Sequence, residues 1–160
     1  MIKIEFKGDV SFLAKMRGRP PRILQMLMGR LNQLMSQLSA YIVSQKLSGQ
    51  VLKRQTGRLA ASVHPVFAKR EAGVLVAGVE SSAPPAFYGH VHEYGGSHAY
   101  AIVATKARAL AFMMDGRKVF AQSVSHPPAK VRAFMGPSFE ENKARIEAEL
   151  LNALNEGIRE

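Results

Sequence analysis

Residues 20–49 read PPRILQMLMGRLNQLMSQLSAYIVSQKLSG. Within them Leu24, Leu27, Leu31, Leu34, Leu38 and Tyr41 recur at steps of three and four, the spacing that lines side chains along one face of an α-helix. Pro20 and Pro21 stand at the start, where a missing N–H costs nothing because first-turn amides have no partner in the helix. Gly49 follows Ser48 as a stop signal. A long N-terminal helix is therefore expected to run to about Ser48.

The helix carries no charged residue from Leu31 to Gln45, and its face away from the leucines presents Asn32, Gln33, Ser36, Gln37 and Ser44. A solvated face is normally rich in Lys and Glu, so small uncharged polar groups point to packing against another chain.

Strand signals flank this helix. Ile2, Ile4 and Phe6 alternate with Lys3 and Glu5, as a short half-buried strand requires. The segment GDVSFLAKMRGR, residues 8–19, reads as an irregular basic loop. After QTGRLAASV come two apolar runs, 63–68 and 74–79, joined by KREAG, which predict a hairpin. A second hairpin is predicted in RALAFMMDGRKVFAQSV, residues 108–124, where Asp115-Gly116 separates two apolar segments. Between the hairpins, SSAPPAFYG offers Pro84 and Pro85 as helix-start residues and predicts a short central helix.

The tail GPSFEENKARIEAELLNALNEG, residues 136–157, predicts a final helix. Ser138 and Glu141 have the spacing of a capping box, acidic residues crowd the first turn, and Gly157 marks the expected end. Ile146, Leu150, Leu154 and Ile158 supply its buried stripe. The expected architecture is α+β: an antiparallel sheet of about four strands, a long N-terminal helix, a short central helix and a C-terminal helix.

Composition limits what such a domain does. A chain of 160 residues, 47% hydrophobic and 21% charged, suits one domain spanning 1–160. It has no cysteine, which excludes disulfides and thiolate chemistry and points to a chain made and used in a cytosol. The N-terminus lacks the apolar core of a signal peptide, and no run approaches the roughly 18 apolar residues of a membrane span. The net charge is +10, but residues 1–70 hold 13 Lys and Arg against two Asp and Glu, whereas residues 71–160 hold nine against ten. The basic excess belongs to the N-terminal half, where it can attract nucleic acid or an acidic protein neighbour or simply form a solvated face that aids solubility.

Histidine supplies the remaining chemical signal. HVHEYGGSH, residues 90–98, offers His90, His92, Glu93 and His98 as conceivable zinc ligands. On a helix, however, His90 and His92 would point about 200° apart, and HVHE lacks the HExxH spacing. Ser97 beside His98 has no orienting carboxylate, and neither GxSxG nor a phosphate loop occurs. No catalytic residue, metal or cofactor is indicated.

Four segments together carry a resemblance. Thr56-Gly57-Arg58-Leu59, followed by Ser62, is similar to a TGxLxxS segment. Tyr88, His92, Tyr94 and Gly95 match a signature in which Tyr-Ala leads to His or Glu, an aromatic residue and glycine; Glu93 lies within it, and Gly89 replaces the alanine. KARALAFMMDGRKVF looks like a family hairpin, while Val124-Ser125-His126-Pro127 and Arg132-Ala133-Phe134 resemble its V-x-H-P and R-P-F-L ending, with Ala133 in place of proline. In this order they resemble the tail-completion or neck proteins of long-tailed bacteriophages, closest to the Mu-like virion morphogenesis branch, over residues 55–155.

That resemblance implies a non-enzymatic virion protein that forms a ring at the head-tail junction or the head-proximal tail end and completes the tail for joining. Six copies are expected from tail symmetry. Its neighbours would be head-completion or connector proteins and tail-terminator or tail-tube proteins, with assembly in the host cytoplasm and no membrane. The roles expected of the motif residues are structural. Thr56 caps a short helix, Arg58 pairs with Glu93, Tyr88 and Tyr94 bury large areas, and His92 packs as a hydrogen-bonded histidine. Gly95 and Gly96 permit a turn, and His126-Pro127-Pro128 ends the last strand. Lys15, Arg17, Arg19, Lys53, Arg54, Lys69 and Arg70 are the expected contacts to channel DNA or an acidic ring. The alternative is a basic, non-enzymatic nucleic-acid-binding protein, which explains the charge but not the TGRL, HEYG and HPP segments.

Overall fold

Helix α1 (Pro21–Gln45) is the element on which the fold is built. It buries Ile23, Leu27, Leu31, Leu34, Leu38 and Ile42 as one stripe, with Met35 beside them; each such side chain contributes roughly 1.5–3 kcal/mol on leaving water. Leu24 and Tyr41 flank this stripe, half-buried, so the expected face is rotated slightly at both ends. The computed structural model describes residues 2–7, 21–53, 56–72, 74–82, 88–96 and 98–159. Lys15, Arg17, Arg19, Pro20, Arg54, Pro84, Pro85 and Ser97 lie outside them.

One side of α1 packs on an antiparallel three-stranded sheet of β1 (Ile2–Lys7), β2 (Val63–Glu71) and β3 (Val74–Ser81), ordered β1-β3-β2. Central β3 buries Leu75, Val76, Ala77 and Val79, a continuous run that suits a strand covered on both faces. The first predicted hairpin is β2–β3. Its ladder shifts register between Val66 and Lys69, and the displaced Ala68 N–H donates to Asn32 Oδ1 of α1 at 2.6 Å. Asn32 thus satisfies a backbone donor that the bulge removes from the ladder.

The short helix α2 (Arg58–Ser62) leads into β2, and Ser62 Oγ lies 2.8 Å from Ser81 Oγ at the end of β3. After the central helix α3 (Tyr88–Tyr94), residues 100–126 form a nested β arm. Strands β4 (Tyr100–Val103) and β7 (Ser123–His126) pair at its base, and β5 (Leu110–Met114) pairs with β6 (Arg117–Ala121) beyond them. Asp115 (φ 51°) and Gly116 (φ 76°) form the tip; two successive positive φ values give the turn twist of a tight hairpin. The fold is α+β with the three expected helices. The seven strands among the described residues, however, divide into antiparallel sheets of three, two and two: β1 joins the first hairpin, whereas the second hairpin pairs only within itself and lies beyond the β4–β7 pair.

Helix α4 (Gly136–Arg159) runs antiparallel to α1 and covers its other side. Arg145 donates to Gln37, and Arg30 pairs with Glu149 at 3.7 Å. Asn32 and Gln37 therefore use part of the charge-poor face inside the chain, leaving Gln33, Ser36 and Ser44 exposed. Gly157 does not end the helix. It faces Ile23, where an added Cβ would lie 3.4 Å from that side chain, so it serves close helix packing.

Candidate functional site

The short helix α3 places Glu93 on its inner side, 8% exposed. One carboxylate oxygen accepts the N–H groups of Phe134 (2.8 Å) and Met135 (3.0 Å), and the other accepts that of Gly136 (2.7 Å). Gly136 opens α4, whose first turn has no acidic residue of its own. A helix N-terminus leaves amides unpaired and carries partial positive charge; Glu93 meets both demands from a distant segment.

Three expectations are thereby corrected, the acidic first turn of α4 among them. Ser138 and Glu141 do not form a capping box: Ser138 Oγ donates to Phe134 O just before the helix, while Glu141 accepts from Tyr41 OH (2.8 Å) of α1 and from Lys46 Nζ (2.7 Å) just past its end. Nor does Arg58 pair with Glu93, whose oxygens are already taken by backbone donors. Lys46 and then Tyr41 hold the Glu141 carboxyl below its ordinary range, and the hydrogen bond to Glu141 raises the Tyr41 hydroxyl.

Two further bonds join the same segments: Arg132 N–H to His92 O at 2.7 Å and Gly96 N–H to Ala129 O at 2.9 Å. Gly95 has φ 81°, and a Cβ at Gly96 would stand 2.7 Å from Ala129 N. The glycine pair is thus required for both turn and contact. Residues 129–136 are held along α3, and Phe134 and Met135 are driven fully into the core.

Beside this junction lies a cavity of about 480 Å³. Thr56, Gly57, Arg58 and Leu59 line one part; Tyr88, His92 and Arg132 line another. Three of the sequence segments, far apart in the chain, meet here. Leu47, Leu52, Lys53 and Ala60 complete the lining; of these only Lys53 was marked by the sequence, and no pattern distinguishes the other three. His92 is half-buried, with its ring edge-on to Tyr88 at 6.0 Å. Burial, and then the charge of Arg132, lower its affinity for a proton.

Other expectations fare differently. Thr56 Oγ1 is 3.5 Å from Arg58 N, too long for a firm cap, and the N-cap position is held by Gly57 in the left-handed conformation. Tyr88 and Tyr94 are 40% and 62% exposed rather than buried; Tyr94 packs its ring on His90 at 4.7 Å. His126 ends β7 and stacks on Tyr100 at 5.0 Å, and Pro127 and Pro128 follow as irregular chain. Lys69 pairs with Glu71, and Arg70 is exposed on β2. Among the described residues no three His, Asp or Glu side chains come together as metal ligands, and no helix is long and apolar enough to cross a membrane.

Comparison with protein families, curated proteins and solved structures finds no match for this chain.

Proposed function

We propose that this chain is a structural, non-catalytic virion protein. It assembles as a ring, expected to be six copies, at the head-tail junction or the head-proximal tail end, and completes the tail for joining to the head. Its further partners would be the adjoining head-completion or connector proteins and the tail-terminator or tail-tube proteins.

The arm of residues 100–126 is the observation that carries this reading. Tyr100, Val103, Met113, Met114 and Phe120 are each more than half exposed on it. A two-stranded ribbon is marginally stable alone in water, and clustered exposed apolar side chains mark protein contact surfaces. A neighbouring subunit in a ring would cover them. The convergence of the TGRL, HEYG and RAF segments at one junction also fits their acting as one signature.

Lys106, Arg108, Arg117 and Lys118 give the arm a net positive charge against Asp115 alone, which suits channel DNA or an acidic neighbouring ring. A stand-alone nucleic-acid-binding protein would instead bind duplex DNA tightly as the isolated chain, with a steep salt dependence.

The test is complementation of a deletion by the triple variant Met113→Ser, Met114→Ser, Phe120→Ser. Its melting should stay within about 0.5 kcal/mol of the parent chain, as for exposed positions generally, while the yield of joined particles falls sharply. Undiminished yield would remove the arm as an assembly surface.

A further inference from the structure

Positive charge gathers around the cavity beside α3, and no acidic side chain among the described residues lines it. Lys53, Arg58 and Arg132 supply the charge. Ion pairs among the described residues use Arg30, Lys46, His64 and Lys69 instead. The side chains of Lys53, Arg58 and Arg132 have no hydrogen-bond or ion-pair partner among the described residues. Glu93, the nearby buried acid, is spent on the start of α4. Two guanidinium forks, each with five N–H donors, are therefore free to bind beside one concave space.

The remaining lining is of a different kind. Leu47, Leu52, Leu59 and Ala60 make an apolar wall, with the Tyr88 and His92 rings contributing elsewhere. A volume of about 480 Å³ lies within the roughly 300–1,000 Å³ typical of small-molecule sites. Basic groups and an apolar wall in one cavity fit an anion that carries an organic body. Three cations match the dianionic charge and three acceptor oxygens of a phosphate monoester better than the single charge of a carboxylate. Planar guanidinium groups also suit phosphate geometry.

We propose that this cavity binds a small organic phosphate, its phosphate held by Arg58 and Arg132 with charge added by Lys53, and its body set against the leucine wall. The site is independent of ring assembly and stands or falls on its own test. His92 is a built-in reporter: Arg132 helps to lower its proton affinity, and a bound dianion would act in the opposite direction.

The experiment uses the full chain, calorimetry with adenosine monophosphate, inorganic phosphate and adenosine as probes, and NMR titration of His92. Adenosine monophosphate and inorganic phosphate should bind and raise the His92 midpoint; adenosine should do neither. Arg58→Ala and Arg132→Ala should each weaken binding by at least about tenfold, as expected for a lost charge-assisted bidentate contact. Arg58→Lys should fall between, since it keeps charge but loses the fork. Both arginines are exposed, so unchanged thermal unfolding will show that the variants remain folded. Failure of both phosphate probes to bind or move His92 at millimolar concentration would overturn the proposal. So would binding that survives both alanine substitutions.

Discussion

The Glu93 carboxylate of the short central helix accepts the backbone N–H of Gly136, the first residue of the last helix, at 2.7 Å across 43 positions of sequence. The same side chain takes the amides of Phe134 and Met135. It therefore couples the surface segment that lines the cavity to the start of the helix that covers α1.

Removing this carboxylate should destabilise the whole chain. Glu93→Ala leaves three amides at a buried helix start without their acceptor, and the expected loss is about 3 kcal/mol. Glu93→Gln keeps one acceptor oxygen but turns an NH₂ donor toward other donors, so it should lose less, yet clearly. Denaturant unfolding of both variants measures the difference; a loss under about 0.5 kcal/mol for the alanine would contradict the capping role.

Asn32 makes a second, separable contribution. Asn32→Ala strands the Ala68 N–H at the β2 bulge and should cost about 1–3 kcal/mol. Asn32→Asp retains the acceptor and should be the milder change. Amide exchange at Ala68 should accelerate in the alanine variant and much less in the aspartate.

Glycine substitutions should divide by surroundings. Gly96→Ala drives a Cβ toward Ala129 N and should lose about 1–3 kcal/mol by overpacking. Gly29, inside α1, has open space around its missing Cβ, so Gly29→Ala should gain about 0.5–1 kcal/mol from helix propensity. Melting temperatures moving in opposite directions would bear this out.

Acid should reveal the Glu141 contact. Its folded carboxyl titrates below the ordinary 4.5 because Lys46 and Tyr41 favour the charged form. The resulting stabilisation is complete above that ordinary value and disappears as pH falls through the lower folded one. Stability measured as the pH is lowered from neutrality through and below the ordinary carboxylate range should therefore fall more steeply in the parent chain than in Glu141→Gln. The exposed position makes the effect small.

The elements that repeat a local rule were readable from the sequence. The leucine spacing gave α1, KREAG and Asp115-Gly116 gave both hairpins, and the apolar spacing of the tail gave α4. Caps were misread because Ser138 and Glu141 satisfy a local pattern while the actual acceptor, Glu93, comes from 43 residues away. Tyr88 and Tyr94 mislead by size alone: they flank the buried Gly89 and Glu93 at the two ends of a seven-residue helix, where much of each ring meets solvent. The convergence of Arg58, His92 and Arg132 on one cavity depends on packing among α2, α3 and the 129–136 segment. No spacing in the sequence encodes it.

Electron microscopy of lysates from the parent genome with this reading frame deleted tests the assembly role most directly. DNA-filled heads should accumulate beside unattached or abnormal tails, with joined particles restored by the intact chain supplied in trans. Normal, infectious particles from the deletion would contradict it.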